Sequence, residues 1–327
     1  MVYLLFFVTA AVIIVAGVAL AYNGETIAER TGLGRIWIGA FLIAGTTSLP
    51  ELVTSSVAVV RDAPDLATGD IFGANMVNML ILGILGLLFG RAWEVRREPT
   101  GIALAAAVAI LITATAGVFS VSDSNLNLGT LSLASPLLVA IAVGSAFLLR
   151  QYEERIVHPS AERQEIERRA ISLRSAVIQF VIAGAAILAA GPLLIVASEE
   201  IAKEAGLSES FFGVAALALV TTLPELVTSA SAMRLGSIDL AIGNLFGSCI
   251  TNMAILAWLD LLYVKGPLFE TVGPSQVAAA MAGIAMMTTA LIAVNVRRAD
   301  LRLHVQPAAA ALIVTYVIGL LLVYQAD

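Results

Sequence analysis

The sequence predicts an all-α polytopic membrane protein, with ten transmembrane helices arranged as two inverted five-helix repeats. Three observations predict it. Apolar stretches long enough to cross a bilayer recur along the whole chain, basic residues are distributed unequally between its loops, and the two halves resemble each other at a constant offset.

The composition sets the class. The 327 residues are 59% hydrophobic and 13% charged, with a mean hydropathy of +0.95. Soluble domains carry about 45–50% apolar and about 25% charged residues, so this chain lies far outside their range. Ten candidate spans lie near residues 3–21, 36–60, 66–90, 100–119, 129–149, 175–198, 210–233, 239–263, 273–295 and 306–325. A helix of about 20 residues covers roughly 30 Å, the thickness of the hydrocarbon layer. Helix is the default because lipid offers no partner to open backbone groups. The alternation of a barrel strand is absent. The first run ends in Ala19-Leu20-Ala21, a site a signal peptidase could cut. No Lys or Arg precedes it, it is long enough to span, and the second half supplies a counterpart at 176–198, so it is read as a retained helix.

Lys and Arg orient the spans. With ten spans, both termini and the even-numbered connections share one side. That side holds Arg61, Lys203 and Lys265, three of the 18 basic residues; the other side holds the remaining 15. The basic side is expected in the cytoplasm and both termini outside, in the plasma (inner) membrane. The polar stretch 150–174 divides the chain, giving a first repeat over 1–150, a cytoplasmic linker over 151–173 and a second repeat over 174–327. The net charge of −6 suggests no nucleic-acid role. A single cysteine, Cys249, excludes an intramolecular disulfide.

Residues 39–83 and 213–257 align without a gap at an offset of 174, with 21 of 45 positions identical. LPELVTS (49–55 and 223–229) is the longest shared block, followed by DLA, FG and NM. Each half has five spans, and an odd number makes the second half enter the membrane in the opposite sense. Inverted repeats of this kind recur in secondary transporters, whose sites lie at mid-membrane between the repeats.

Polar groups at membrane depth are costly and mark function by default. Proline lacks an N–H and clashes with the carbonyl four residues earlier, so Pro50 and Pro224 are expected to free carbonyls near Thr46 and Val220. Thr47 precedes Glu51 by four residues, and Thr221 precedes Glu225 likewise, which puts each hydroxyl on the face of its carboxylate. Asn78 and Asn252 follow on the next spans, with Ser248 four residues before Asn252. Asp70, Gly73 and Ala74 lie near them in one half, Asn244 and Gly247 in the other. Thr54, Ser55, Thr228 and Ser229 are expected to bond back to their own helices, and Cys249 to serve packing. His158 and His304 are expected in solvated loops. The repeated set contains oxygen ligands and neither His nor Cys, which suits hard cations such as Ca²⁺, Mg²⁺ and Na⁺. Two carboxylates match one divalent ion, and without it they would repel or take up a proton.

GTTSLPELVTS and VTTLPELVTS resemble the paired alpha-repeat signatures of the sodium/calcium exchanger family, within the cation/Ca²⁺ antiporter superfamily, prokaryotic type. GDIFGANMVN and GNLFGSCITN resemble its companion signature. The resemblance implies exchange of Ca²⁺ for Na⁺ through one alternating-access site. It implies Glu51 and Glu225 as the shared carboxylates, with Thr47, Ser48, Thr221 and Thr222 giving hydroxyl or carbonyl oxygens. Ala44 and Ala218 would offer backbone carbonyls to Na⁺, while Asn78, Asn252 and Ser248 complete the centre. Spans one and six would slide against the other eight. Three positions depart from the family pattern: Ala74 replaces a serine that helps bind Na⁺, Asn252 an aspartate found in many members, and Asp70 an asparagine. They leave H⁺/Ca²⁺ exchange, or exchange of another divalent cation, as the alternative. A channel would fit the broken helices, but an inverted repeat within one chain favours rocking. An intramembrane enzyme lacks a Ser/Lys or Ser/His dyad and H-E-x-x-H. No catalytic residue, resident cofactor or obligate protein partner is expected; the expected partners are Ca²⁺, Na⁺ or H⁺, and the lipid bilayer.

Overall fold

The computed structural model describes residues 2–89, 99–122, 127–156, 171–204, 217–298 and 305–326. It is almost wholly helical. The first half runs α1 (Val2–Thr31), α2 (Arg35–Trp37), a π-helical turn (Ile38–Ile43), α3 (Ala44–Thr47), α4 (Leu49–Val60), α5 (Pro64–Phe89), α6 (Pro99–Val121), a hairpin of β1 (Asn127–Leu128) and β2 (Leu131–Ser132), and α7 (Ala134–Ile156). The second runs α8 (Leu173–Glu204), α9 (Ala218–Thr221), α10 (Leu223–Arg234), α11 (Ile238–Leu262), a 3₁₀ turn (Leu268–Thr271), α12 (Pro274–Arg298) and α13 (Val305–Ala326).

Eight described helices are long and apolar enough to cross a membrane, and the bent pair Arg35–Thr47 and Leu49–Val60 makes a ninth if counted as one span. The expected seventh span, 210–233, is described only from Leu217 onward, as α9 and α10. His158, His304 and most of the expected linker lie outside the described residues.

Three expected boundaries are corrected. α1 continues to Thr31 rather than ending near 21, because its polar end is buried by other helices rather than met by water. Asn23, Glu25 and Thr26 are all buried there, and Glu25 pairs with Arg35 at 2.7 Å. α7 begins at Ala134 rather than 129, because 127–132 form the antiparallel hairpin, which turns at Gly129 with φ +73°. Buried Asp260 fixes this corner: Ser132 N–H and the Ser135 hydroxyl donate to one oxygen, and Leu268 N–H donates to the other at 2.7 Å. α7 also runs on to Ile156, across the expected boundary at 150. Its Glu153 accepts from the N–H groups of Ile36 (3.0 Å) and Trp37 (3.1 Å), so a carboxylate caps the start of α2.

Burial sorts the helices. In α5 and α11, 78% and 72% of the apolar stretch is buried, against 33% in α1 and 28% in both α7 and α13. α5 and α11 therefore form the centre, while the outer helices turn Leu, Val and Ile outward, as lipid-facing surfaces do. Small residues permit the closest central contact. A Cβ on Gly247 would fall 2.2 Å from Ala40 Cα, and one on Gly39 would fall 2.5 Å from the Leu240 carbonyl oxygen, so α11 and the π turn touch backbone to backbone.

Candidate functional site

The two Pro-Glu pairs sit at two helix breaks of the same design. α3 ends at Thr47 and α4 begins at Leu49, with Ser48 between them at φ −82°, ψ 11°. α9 ends at Thr221 and α10 begins at Leu223, with Thr222 between them at φ −81°, ψ 8°. Proline thus enters the first turn of a new helix, where its missing N–H costs nothing. The first break bends the chain by 44°. The π turn before α3 widens the helix just ahead of the break.

Each break delivers its glutamate to the protein interior. Glu51 and Glu225 are both fully buried, and they lie within electrostatic reach of one another. The Glu225 carboxylate accepts from Ser48 (3.2 Å) and Ser248 (3.3 Å), both at Oε1. Ser48 belongs to the first half, so the two halves meet at this oxygen. Among the described residues, Glu225 Oε2 and both oxygens of Glu51 have no hydrogen-bond partner, although all are buried. Buried polar atoms are nearly always satisfied, so three orphaned carboxylate oxygens at one place need a cause. A hard cation would supply one.

Of the remaining expected residues, Thr47, Ser48, Thr221 and Ser248 converge there. Thr221 lies beside Glu51 and Thr47 beside Glu225, each reaching toward the carboxylate of the other half. Thr47 also donates toward the Ala44 carbonyl (3.3 Å) and Asn244 Oδ1 (3.4 Å), and Thr221 toward the Ala218 carbonyl (3.3 Å) and Asp70 Oδ1 (3.2 Å). Ser48 and Thr222 differ. Ser48 reaches the opposite carboxylate, whereas Thr222 turns its hydroxyl back onto the Ala218 carbonyl at 2.7 Å. Asn78 is buried with neither polar side-chain atom partnered among the described residues. Asn252 gives its amide N–H to Asn75 Oδ1 (3.0 Å) and leaves its own oxygen unpartnered.

Three expectations about hydroxyls, those for Ser55, Ser229 and Thr228, are corrected. Ser55 and Ser229 bond the next helix rather than their own. Ser55 donates to Asp70 Oδ2 at 2.9 Å, and Ser229 accepts from Asn244 Nδ2 at 3.0 Å. Thr54 does bond back, to the Pro50 carbonyl at 2.8 Å. Thr228 has no hydroxyl partner among the described residues, because it faces Gly17 of α1. Cys249 is fully buried, with its Sγ 4.0 Å from the Asn75 carbonyl. The sequence reading missed the links from Asp70 to Thr221, from Asn244 to Thr47, and from Asn252 through Asn75 to Thr113. The offset of 174 that pairs Asp70 with Asn244 was the available signal for the first two.

Comparison with known proteins gives a family and a fold. The family model described as "Sodium/calcium exchanger protein" matches residues 1–150 and 175–325. The inner membrane protein YrbG of Escherichia coli is 29% identical over 251 residues, 76% of this chain and 75% of its own. The sodium/calcium exchanger MaX1 of Methanosarcina acetivorans is 25% identical over 269 residues, 74% of this chain and 77% of its own. Among solved structures, the sodium-calcium exchanger NCX_Mj superposes with a TM-score of 0.73 at 19% identity, covering 98% of this chain and 99% of its own. The H⁺/Ca²⁺ exchanger CAX superposes with a TM-score of 0.73 at 17% identity, covering 99% of this chain and 84% of its own.

Proposed function

The chain belongs to the sodium/calcium exchanger family, and from that premise we propose that it exchanges Ca²⁺ for Na⁺ by alternating access at the site between the two helix breaks. It is a multi-pass membrane antiporter of the cation/Ca²⁺ exchanger class; family and fold are those of transporters. The observation that carries the ion reading is the pair of buried glutamates with three orphaned oxygens, brought together from matching breaks in the two halves.

The residues divide the work. Glu51 and Glu225 balance a divalent charge, which low local dielectric makes expensive to leave uncompensated. Thr47, Thr221 and Ser48 add hydroxyl oxygens, Ala44 and Ala218 their carbonyls, and Asn78, Asn252 and Ser248 close the centre. Thr222 contributes through its backbone, since its hydroxyl is turned to Ala218. Two carboxylates cannot comfortably face each other bare, so release of one cation favours entry of another and coupling follows. Ten spans in two inverted repeats, the first running through α7 to Ile156 and the second beginning with α8, around a cytoplasmic linker, would set the site at mid-membrane and let α1 and α8 slide across it. The plasma membrane, with both termini outside, follows from the 15:3 division of basic residues.

The test is ⁴⁵Ca²⁺ uptake into vesicles holding the purified protein, under an imposed Na⁺ gradient or an imposed pH gradient. Uptake is expected to follow the Na⁺ gradient, and Glu51→Gln or Glu225→Gln to reduce it at least about a hundredfold, as removal of one charged ligand from a buried site does. Flux that ignores Na⁺ and follows the pH gradient would replace Na⁺ by H⁺ as the counter-ion. Asp70, a third buried carboxylate beside Glu51, favours that second reading.

A further inference from the structure

Asp70 has no ligand role in the site described above, yet it touches it. It is fully buried on α5, one helix away from the breaks. Its two oxygens accept from two different elements: Oδ2 from the Ser55 hydroxyl of α4 at 2.9 Å, and Oδ1 from the Thr221 hydroxyl of α9 at 3.2 Å. The second contact joins the two halves of the molecule.

The Thr221 hydroxyl has one hydrogen, and although Glu51 lies beside it, neither Glu51 oxygen accepts a hydrogen bond among the described residues, which leaves two acceptors in reach. One is the Ala218 carbonyl at 3.3 Å, the other Asp70 Oδ1 at 3.2 Å. The Ala218 carbonyl already accepts the Thr222 hydroxyl at 2.7 Å and the Thr222 N–H at 3.2 Å, which occupies both of its lone pairs. The hydrogen therefore goes to Asp70. The Thr221 oxygen also lies beside Glu51, so with its hydrogen on Asp70 its lone pairs are free for a cation held by that carboxylate. The matching position in the other half carries Asn244, whose amide donates to Ser229 and whose oxygen faces Thr47 at 3.4 Å. There the Ala44 carbonyl keeps a lone pair for Thr47, since its other bond is the Ser48 N–H at 2.9 Å. The hold on Thr221 is therefore the more exclusive of the two.

We infer that Asp70 is a positioning residue for cation recognition: by taking the hydroxyl hydrogen of Thr221 across the interface between the halves, it turns that oxygen into a ligand aimed at the ion held by Glu51. This rests on the reading of Thr221 as a ligand. The clamp needs an acceptor oxygen at position 70, which Asn provides and Ala does not.

The test is Ca²⁺/⁴⁵Ca²⁺ self-exchange in vesicles, which requires neither a Na⁺ nor a pH gradient, with half-saturating Ca²⁺ and maximal rate measured separately. Asp70→Ala and Thr221→Val are each expected to raise half-saturating Ca²⁺ about five- to tenfold, the size of one lost hydrogen bond. The double variant should be no worse than either single one, because both remove the same contact. Asp70→Asn should return half-saturating Ca²⁺ to within about twofold of the unaltered protein while keeping its thermal unfolding temperature. Effects that multiply in the double variant, or an Asp70→Asn protein as weak as Asp70→Ala, would overturn the clamp and leave the Thr221 ligand in place. A Thr221→Val protein with unchanged half-saturation would remove Thr221 from the site and the clamp with it.

Discussion

Ser48 and Thr222 occupy the same position in the two halves, yet their hydroxyls point to different partners: Ser48 to Glu225, Thr222 to the Ala218 carbonyl. The two sets of candidate ligands are thus similar in kind and unequal in detail. The inequality is sharpest at Ala74 and Ser248. Ser248 donates to Glu225 at 3.3 Å, while its mate, Ala74, is equally buried and has no hydroxyl to offer Glu51. Ala74→Ser restores a missing oxygen on the side of Glu51. It should lower half-saturating Na⁺ for Ca²⁺ efflux about threefold or more, and leave half-saturating Ca²⁺ nearly unchanged, as titration of both ions in the same vesicles would show. At this scale the sequence disclosed the residue types but not their partners. Helical periodicity pairs Thr47 with Glu51 and Thr221 with Glu225, but the break between them swaps the pairs, so that Thr47 lies beside Glu225 and Thr221 beside Glu51. That Ser55 would bond Asp70 rather than its own helix could not be read, because it depends on the angle and distance between α4 and α5.

The helix break is the element that makes the site. Two residues before each proline the chain leaves helical geometry, and the glutamate one residue beyond the proline falls in the first turn of the new helix. Carboxylates are favoured in a first turn by the helix dipole, which offsets part of the cost of burial. α1 and α8 cross these broken segments at glycines that the offset of 174 relates to one another. A Cβ on Gly17 would fall 2.9 Å from Val227, and one on Gly191 would fall 3.0 Å from Pro50. Both helices also pack against each other along their length. If access changes by sliding of α1 and α8, these are the points where bulk would interfere. Gly191→Val is expected to slow the maximal rate of Ca²⁺ exchange at least about tenfold, with equilibrium Ca²⁺ binding measured on the purified protein changed much less. Equal losses in binding and rate would place the damage in the site itself rather than in the motion.

For the whole molecule, burial separates a centre of α5 and α11 from a lipid-facing perimeter, and the site lies where that centre meets the two breaks. The proposed orientation can be checked with one reporter. Cys249 is fully buried, so an added surface cysteine is the reactive one. In inside-out vesicles, Ser160→Cys is expected to react with an impermeant maleimide, and Val264→Cys, exposed between α11 and the 3₁₀ turn, to react only after the membrane is opened. The reverse pattern would invert the topology. The connections proposed to face outward are tied together in two ways: Lys265 pairs with Asp62 at 2.6 Å, which raises the lysine pKa, and Asp260 binds the start of α7 and the 3₁₀ turn. The sequence by itself determined the class, the two related halves, the paired glutamates and the oxygen character of the proposed ligands. Composition, periodicity and self-similarity are properties of the chain read along its length. The tertiary structure decided which hydroxyls reach across the halves, where the long helices end, and how unequal the two ligand sets are. Those depend on the approach of elements far apart in sequence, set by backbone contact at Gly39 and Gly247 and by buried acceptors such as Asp70, Glu153 and Asp260.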